Sequence, residues 1–131
     1  WPVDSRTIAE HFGNKVHPVY GTKTPNLGVE IVTDAQSSVE VVHDGYVMNI
    51  IPVPGYGDVI FVKHGRFITA YGNLSEVMVS KSEVLNKGDM LGLSGDSSSP
   101  KGESLFFLIR ENNENLDPEN WLRRETMSSN Y

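Results

Sequence analysis

The stretch Ser104-Leu105-Phe106-Phe107-Leu108-Ile109-Arg110 alternates with a period of two. Leu105, Phe107 and Ile109 fall on one wholly apolar face. Ser104, Phe106, Leu108 and Arg110 fall on the other, which is polar at both ends and carries a Phe between them. This predicts a strand with one core face and one mixed face, and the mixed face raises the question of what Phe106 is for.

Outward from this strand the same texture repeats. Twelve glycines and seven prolines cut the chain into short apolar runs. Strands are predicted at Lys15–Tyr20, Gly28–Thr33, Ser38–Val42, Tyr46–Val53, Asp58–Lys63, Phe67–Tyr71, Met90–Ser94 and Ser104–Arg110, each rich in Val, Ile, Phe or Tyr. Turn sequences separate them: His43-Asp44-Gly45, Pro54-Gly55-Tyr56-Gly57, His64-Gly65-Arg66, Lys87-Gly88-Asp89 and the run from Gly95 to Pro100. The pattern predicts an all-β domain built from antiparallel hairpins, with a tight hairpin at Lys63–Arg66. Helix is expected only at Ser5–Phe12, with Asp4 or Ser5 as cap, and as one turn at Pro118–Leu122, with Asp117 as cap. The tail Arg123–Tyr131 has no periodicity and is expected to fray.

Composition narrows the function. At 131 residues the chain fits one domain with a real core. Seventeen acidic against eleven basic residues give a net charge of −6, which argues against a nucleic-acid footprint. There is no cysteine, so thiol catalysis, disulfides and cysteine-zinc sites are excluded. No apolar run approaches the roughly 18 residues of a membrane span. The chain begins at Trp1-Pro2 without Met, so it is expected to be a trimmed part of a longer protein whose targeting segment lies elsewhere.

Six landmarks then occur in order: TPNLGVEI from Thr24, VVHDGYV from Val41, the long run from Gly55 to Ser75, KGDMLGLSG from Lys87, SLFFLIR from Ser104 and LDPENWL from Leu116. The glycine-bounded strand pairs alone would also suit a biotinyl or lipoyl carrier, but such carriers need an exposed Lys at a hairpin tip, and Lys63 beside His64 is a poor match. With the landmarks taken together, the chain resembles the LytM-like, or lysostaphin-type, zinc metallopeptidases that cut peptidoglycan, from about Phe12 to Leu122. The resemblance implies an antiparallel β-sheet domain of the duplicated hybrid-motif type, with a central groove and little helix.

The resemblance also implies where a zinc site would stand. Two ligands of that family come from a His-x-x-x-Asp segment. Here it reads Asn26-Leu27-Gly28-Val29-Glu30, with Asn26 for the His and Glu30 for the Asp. The third ligand is the second His of a His-x-His strand, where this chain has Ser104 and Phe106. The His closing a Tyr-x-His-Leu segment is replaced by Asn73. Zinc wants imidazole, thiolate or carboxylate, so no metal, no cofactor and no catalytic residue are expected. His11, His17, His43 and His64 are read as surface or turn histidines rather than as a relocated site.

Within that family the chain resembles the degenerate, non-catalytic branch of murein hydrolase activators of the EnvC type. The implied function is activation of a peptidoglycan (N-acetylmuramoyl-L-alanine) amidase during daughter-cell separation, by binding it through the former active-site groove. The partner candidates are Asn26, Glu30, Tyr56, Arg66, Asn73, Ser104, Phe106 and Arg110, with Tyr56 and Arg66 expected on loops that wall the groove. Phe106 is read either as a partner contact or as a plug in the space a zinc site left. Tyr71 is read as core or groove support, and Trp121 as an anchor for the C-terminal turn. The implied setting is the periplasm or cell envelope, with an upstream division-transporter complex reached through a region outside this chain. A wall-targeting module that binds peptidoglycan directly, and an active endopeptidase, are the alternatives.

Overall fold

The computed structural model describes residues 1–16 and 23–122. Thirteen strands form among them: β1 (Ile8–Glu10), β2 (Gly13–Val16), β3 (Lys23–Asn26), β4 (Val29–Val32), β5 (Ser38–Glu40), β6 (Gly45–Val53), β7 (Gly57–His64), β8 (Phe67–Gly72), β9 (Glu76–Val77), β10 (Val84–Leu85), β11 (Met90–Leu93), β12 (Ser104–Glu111) and β13 (Glu114–Leu116). The strand read first from the sequence, β12, lies inside an eight-stranded antiparallel sheet ordered β1-β4-β12-β8-β7-β6-β10, with β13 also paired to β12. β2 and β3 pair with each other, and β5-β11-β9 make a small third sheet.

The alternation in β12 becomes two different environments. Leu105, Phe107 and Ile109 join Ile31, Ile60, Val62, Tyr71 and Val47 in one large core cluster. Val39 of β5 and Leu91 of β11 belong to the same cluster, so the three-stranded sheet covers this face of the large one. The mixed face of β12 packs in a second, smaller cluster of Val59, Ala70, Phe106 and Leu108, flanked by Val53, Tyr56 and Phe61. That second face positions the candidate site.

Two sequence expectations need correction or completion. Ser5–Phe12 is not a helix. Ile8–Glu10 pairs with β4, Val32 N–H donates to the Thr7 carbonyl at 2.8 Å, and Ser5 Oγ accepts from Thr7 N–H instead of capping a helix. The open edge of β4 gives this segment a long-range partner that its local preference did not show. The Pro118–Leu122 turn does form, and Asp117 Oδ1 accepts from Glu119 N–H at 3.0 Å, as a cap should. β3, β9, β10 and β13 lie outside the predicted strands. They are two to four residues long, too short to show a period. Of the expected Lys15–Tyr20 strand, the part up to Val16 is described as β2, while His17 and the remainder lie outside the described residues, as does the tail from Arg123.

His64, at the end of β7, ties this architecture together. Its Nδ1 lies 2.8 Å from the Asp44 carbonyl oxygen, which can only accept, so Nδ1 carries the proton. Nε2 then accepts from the Thr69 hydroxyl at 2.8 Å. Burial lowers the pKa of the imidazole below its ordinary 6.5, aided by His43, while the Asp44 carbonyl and carboxylate act in the other direction. The unfolded chain therefore binds this proton more readily than the folded one. The contribution is intact above the ordinary value and is lost as pH falls through that value and then through the lower folded one. The urea midpoint is expected to fall between about pH 7 and about pH 5, and a His64→Gln chain is expected to show a shallower fall over that window. Parallel slopes in the two chains would contradict this.

Candidate functional site

Directly paired residues on antiparallel neighbours project to the same side, so the strand register sets out the second face in rows. One row holds Glu10, Glu30, Phe106 and Gly72. The next holds Leu108, Ala70, Phe61 and Asn49. A third runs Asn115, Arg110, Ile68, Lys63, Tyr46 and Val84. Much of this face is open: Val84 is 78% exposed, Tyr46 42% and Ile51, beside Val59, 41%.

Phe106 is not open. It is 7% exposed, and its ring lies 4.5 Å from that of Tyr56, which reaches over from the β6–β7 turn. Two glycines make room for it. A Cβ on Gly28 would stand 3.0 Å from Phe106 Cζ and 2.3 Å from the Phe107 carbonyl oxygen, and one on Gly72 would stand 3.5 Å from Phe106 Cδ1. Since the Phe107 oxygen belongs to a central strand and cannot retreat, Gly28→Ala is expected to cost about 2 kcal/mol by overpacking, read as a lowered urea midpoint.

Behind Phe106 the loop from Gly95 to Glu103 is held by Asn73. This side chain is 0% exposed. Its Nδ2 donates to the carbonyls of Gly102 (3.0 Å) and Ser104 (2.9 Å), with Ser104 Oγ at 3.2 Å, and its Oδ1 accepts from Lys101 N–H at 2.9 Å. Ser104 Oγ in turn donates to the Lys101 carbonyl at 3.1 Å. The loop passes so close that a Cβ on Gly95 would stand 2.2 Å from the Gly102 oxygen and 2.5 Å from Asn73 Nδ2. Lys101, carried by this loop, brings its Nζ to 3.8 Å from Glu30 Oε1 and to 5.0 Å from the Tyr56 ring centre.

These contacts decide whether the family's zinc would fit. Asn26 spends its amide Nδ2 on the His11 carbonyl at 2.7 Å, Glu30 faces Lys101, and Phe106 supplies no donor atom. His11 is engaged with Glu119 at 2.8 Å. Among the described residues, no three His, Asp or Glu side chains converge as a metal would require. One carboxylate beside an ammonium and a phenyl ring is not a zinc donor set.

The structure brings Glu30, Tyr56 and Phe106 into contact or direct pairing, with Asn73 and Ser104 immediately behind them. Asn26 lies two residues before Gly28, which abuts Phe106. Arg110 shares the face but stands about 13 Å further along β12, with its Nε 3.3 Å from Asn115 Oδ1. Arg66 does not wall the groove, contrary to the sequence expectation. The β7–β8 turn lies at the Glu111 end of β12, because Phe67 pairs with Glu111 whereas Gly72 pairs with Phe106. Arg66 there meets Glu111 at 3.4 Å and lies over the Phe67 ring. Sequence reading missed Lys101, Lys63, Tyr46 and Val84. Only the alternation of β6 and β7, followed through their register, could have placed Tyr46 and Lys63 on this side.

Comparison with known proteins extends the picture. The pattern described as peptidase family M23 matches residues 24–118. The chain is 29% identical over 110 residues to the peptidoglycan DD-endopeptidase ShyA of Vibrio cholerae, covering 82% of this chain and 26% of that protein. It is also 29% identical over 125 residues to the murein hydrolase activator EnvC of Escherichia coli, covering 95% of this chain and 29% of that protein. It thus spans little more than a quarter of the length of either relative. A zinc-containing peptidase from Vibrio cholerae superposes with a TM-score of 0.81 at 27% identity, over 89% of this chain and 37% of that one.

Proposed function

The chain belongs to peptidase family M23, and from that premise we propose that it is a zinc-free regulatory domain which binds a cell-wall amidase through its former active-site groove and switches the amidase on. The observation that carries this reading is Phe106. It stands where the resemblance puts the third ligand, and in the structure it is packed on Tyr56 and directly paired with Glu30, a hydrophobic contact that offers a metal no donor atom. The likeness to EnvC, a murein hydrolase activator, over 95% of this chain supports the same direction. ShyA is an endopeptidase of similar identity, which makes hydrolysis by this chain the outcome to test against.

On this reading the groove works by presentation. Phe106 and Tyr56 form its apolar end. The rows beyond offer Ile51, Tyr46 and Val84 as exposed apolar contacts and Lys63 and Arg110 as cations. No Asp or Glu stands in the row that contains those two cations, although the whole chain is acidic. Such a mixture suits an amphipathic helix of the partner. The amidase supplies the zinc chemistry, and this chain supplies only the contact that releases it, in the cell envelope during daughter-cell separation. On the same reading the chain is one domain, with its core from about residue 12 to residue 122.

Dye release from labelled murein tests this, with the chain alone, a zinc amidase of the same organism alone, and both together. Release above the amidase's own rate only in the mixture is the expected result. Release by the chain alone would overturn the reading. Retention on purified sacculi without any amidase stimulation would replace it with a wall-targeting module. Arg110→Glu is expected to lower stimulation by roughly tenfold, mainly through slower association, with the urea midpoint little changed.

A further inference from the structure

Phe106 is shut in. At 7% exposed it offers a partner almost no surface until something moves. The Tyr56 ring covers it at 4.5 Å. Lys101 holds that ring from the Gly95–Glu103 loop, with its Nζ 5.0 Å from the Tyr56 ring centre and 3.8 Å from Glu30 Oε1. Glu30 is itself directly paired with Phe106, so one ammonium ties together both neighbours of the buried ring.

The backbones that carry Tyr56 and Lys101 are pinned by one residue. Asn73 N–H donates to the Tyr56 carbonyl at 2.7 Å, and Asn73 Oδ1 accepts from Lys101 N–H at 2.9 Å. Ser104 Oγ donates to the Lys101 carbonyl at 3.1 Å. What moves here without breaking a backbone bond is the two side chains. The contacts that hold them are weak. A partly exposed ion pair at 3.8 Å and a cation–π contact at 5.0 Å each bias an equilibrium by roughly fivefold or less. The other acid of this row, Glu10, is one strand spacing, about 4.8 Å, further out.

We infer that Lys101 is both the latch of this groove and its receptor for a partner carboxylate. In the free chain Lys101 bridges Glu30 and the Tyr56 ring, and Phe106 stays covered. A partner segment that presents a carboxylate next to an apolar side chain takes Lys101 from Glu30. Tyr56 then turns about its χ1, and the apolar side chain meets Phe106. A segment without an acid at that point meets a covered Phe106, and its affinity is reduced by the small fraction of chains that are open. Lys101 therefore selects the partner as well as closing the groove. The receptor role rests on the regulatory reading, whereas the latch is a property of this chain alone.

Hydroxyl-radical oxidation of the free chain, resolved by residue with mass spectrometry, reads the latch. Phe107, 0% exposed on the other face, reports any general loosening. Glu30→Gln and Lys101→Ala are each expected to raise oxidation of Phe106 about threefold and to leave Phe107 unchanged. Stimulation of a zinc amidase of the same organism reads the receptor role, and there the two variants are expected to part. Glu30→Gln keeps Lys101 for the partner and reaches half-maximal stimulation at roughly threefold lower concentration. Lys101→Ala is as open but needs roughly fivefold more. Phe106 oxidation at the parent level in both variants, or a matching rise at Phe107, would overturn the latch. Half-maximal concentrations that move together, or not at all, would overturn the receptor role. If the parent chain stimulates no amidase while both variants expose Phe106, the regulatory reading fails, and the receptor role with it, while the latch stands.

Discussion

Asn73→Ala is expected to lower the free energy of unfolding by about 3–4 kcal/mol and to abolish amidase stimulation along with it. The substitution leaves the Lys101 N–H without the partner it has in the folded chain and takes one of two donors from each of the Gly102 and Ser104 carbonyls, which keep Ser104 N–H and Gly95 N–H. A donor left without a partner costs about 1–3 kcal/mol, and each bond lost where another remains about 0.5–1.5 kcal/mol. Backbone geometry adds to it. Asn73 sits at φ +62°, a left-handed conformation that Asn tolerates and Ala does not. Asn73→Gly separates the two terms: it removes the same side-chain bonds but fits the backbone, and should recover about 1 kcal/mol relative to Ala. Urea denaturation of the three chains checks both. Should Asn73→Ala unfold at the parent midpoint yet fail to stimulate the amidase, Asn73 would be a direct partner contact and the loop-holding role derived from its bonds would be wrong.

Phe106→Asp is expected to be the most damaging single change in the groove, costing about 3–5 kcal/mol and all measurable stimulation. The new carboxylate would lie against the Tyr56 ring and directly opposite Glu30. Like charges paired across strands are unfavourable, and Lys101 beside Glu30 offsets them in part. Because lost stimulation could then reflect lost folding, Phe106→Leu carries the decisive comparison. It keeps most of the volume and should cost less than about 1.5 kcal/mol. Under the regulatory reading, stimulation by the Leu chain falls roughly tenfold while the fold persists, since an aromatic anchor at an interface centre is replaced. Full stimulation by Phe106→Leu would mean that Phe106 only fills space and that the partner binds elsewhere on this face.

Much of the fold was legible because its signal is local. The two-faced alternation of Ser104–Arg110 survives as a strand with Leu105, Phe107 and Ile109 in the main core, and the eight predicted strands correspond to described ones, the first only in part. The helix expected at Ser5–Phe12 failed for the opposite reason. Its pattern was compatible with a helix, and only the free edge of β4, distant in sequence, makes it a strand. The residue types where the resemblance puts a metal were legible as well, since Asn26 and Phe106 are poor ligands in any conformation. Their surroundings were not. Lys101 facing Glu30 and the four-bond anchoring of Asn73 depend on a loop about thirty residues from Asn73 and about seventy from Glu30 in the chain.

By itself the sequence determined the class of fold, through periodicity and residue type, and the likeness to a peptidase family, through six motifs in order. Neither needs a partner across space. Tertiary structure decided which of the singled-out residues share a surface. Sheet register put Arg66 beside Glu111 and away from Phe106, turned Asn73 inward as a loop anchor, and lined Lys63, Tyr46 and Val84 up with Arg110. Register is a property of strand pairs, fixed by long-range hydrogen bonds and by which faces are buried, and no single strand encodes it.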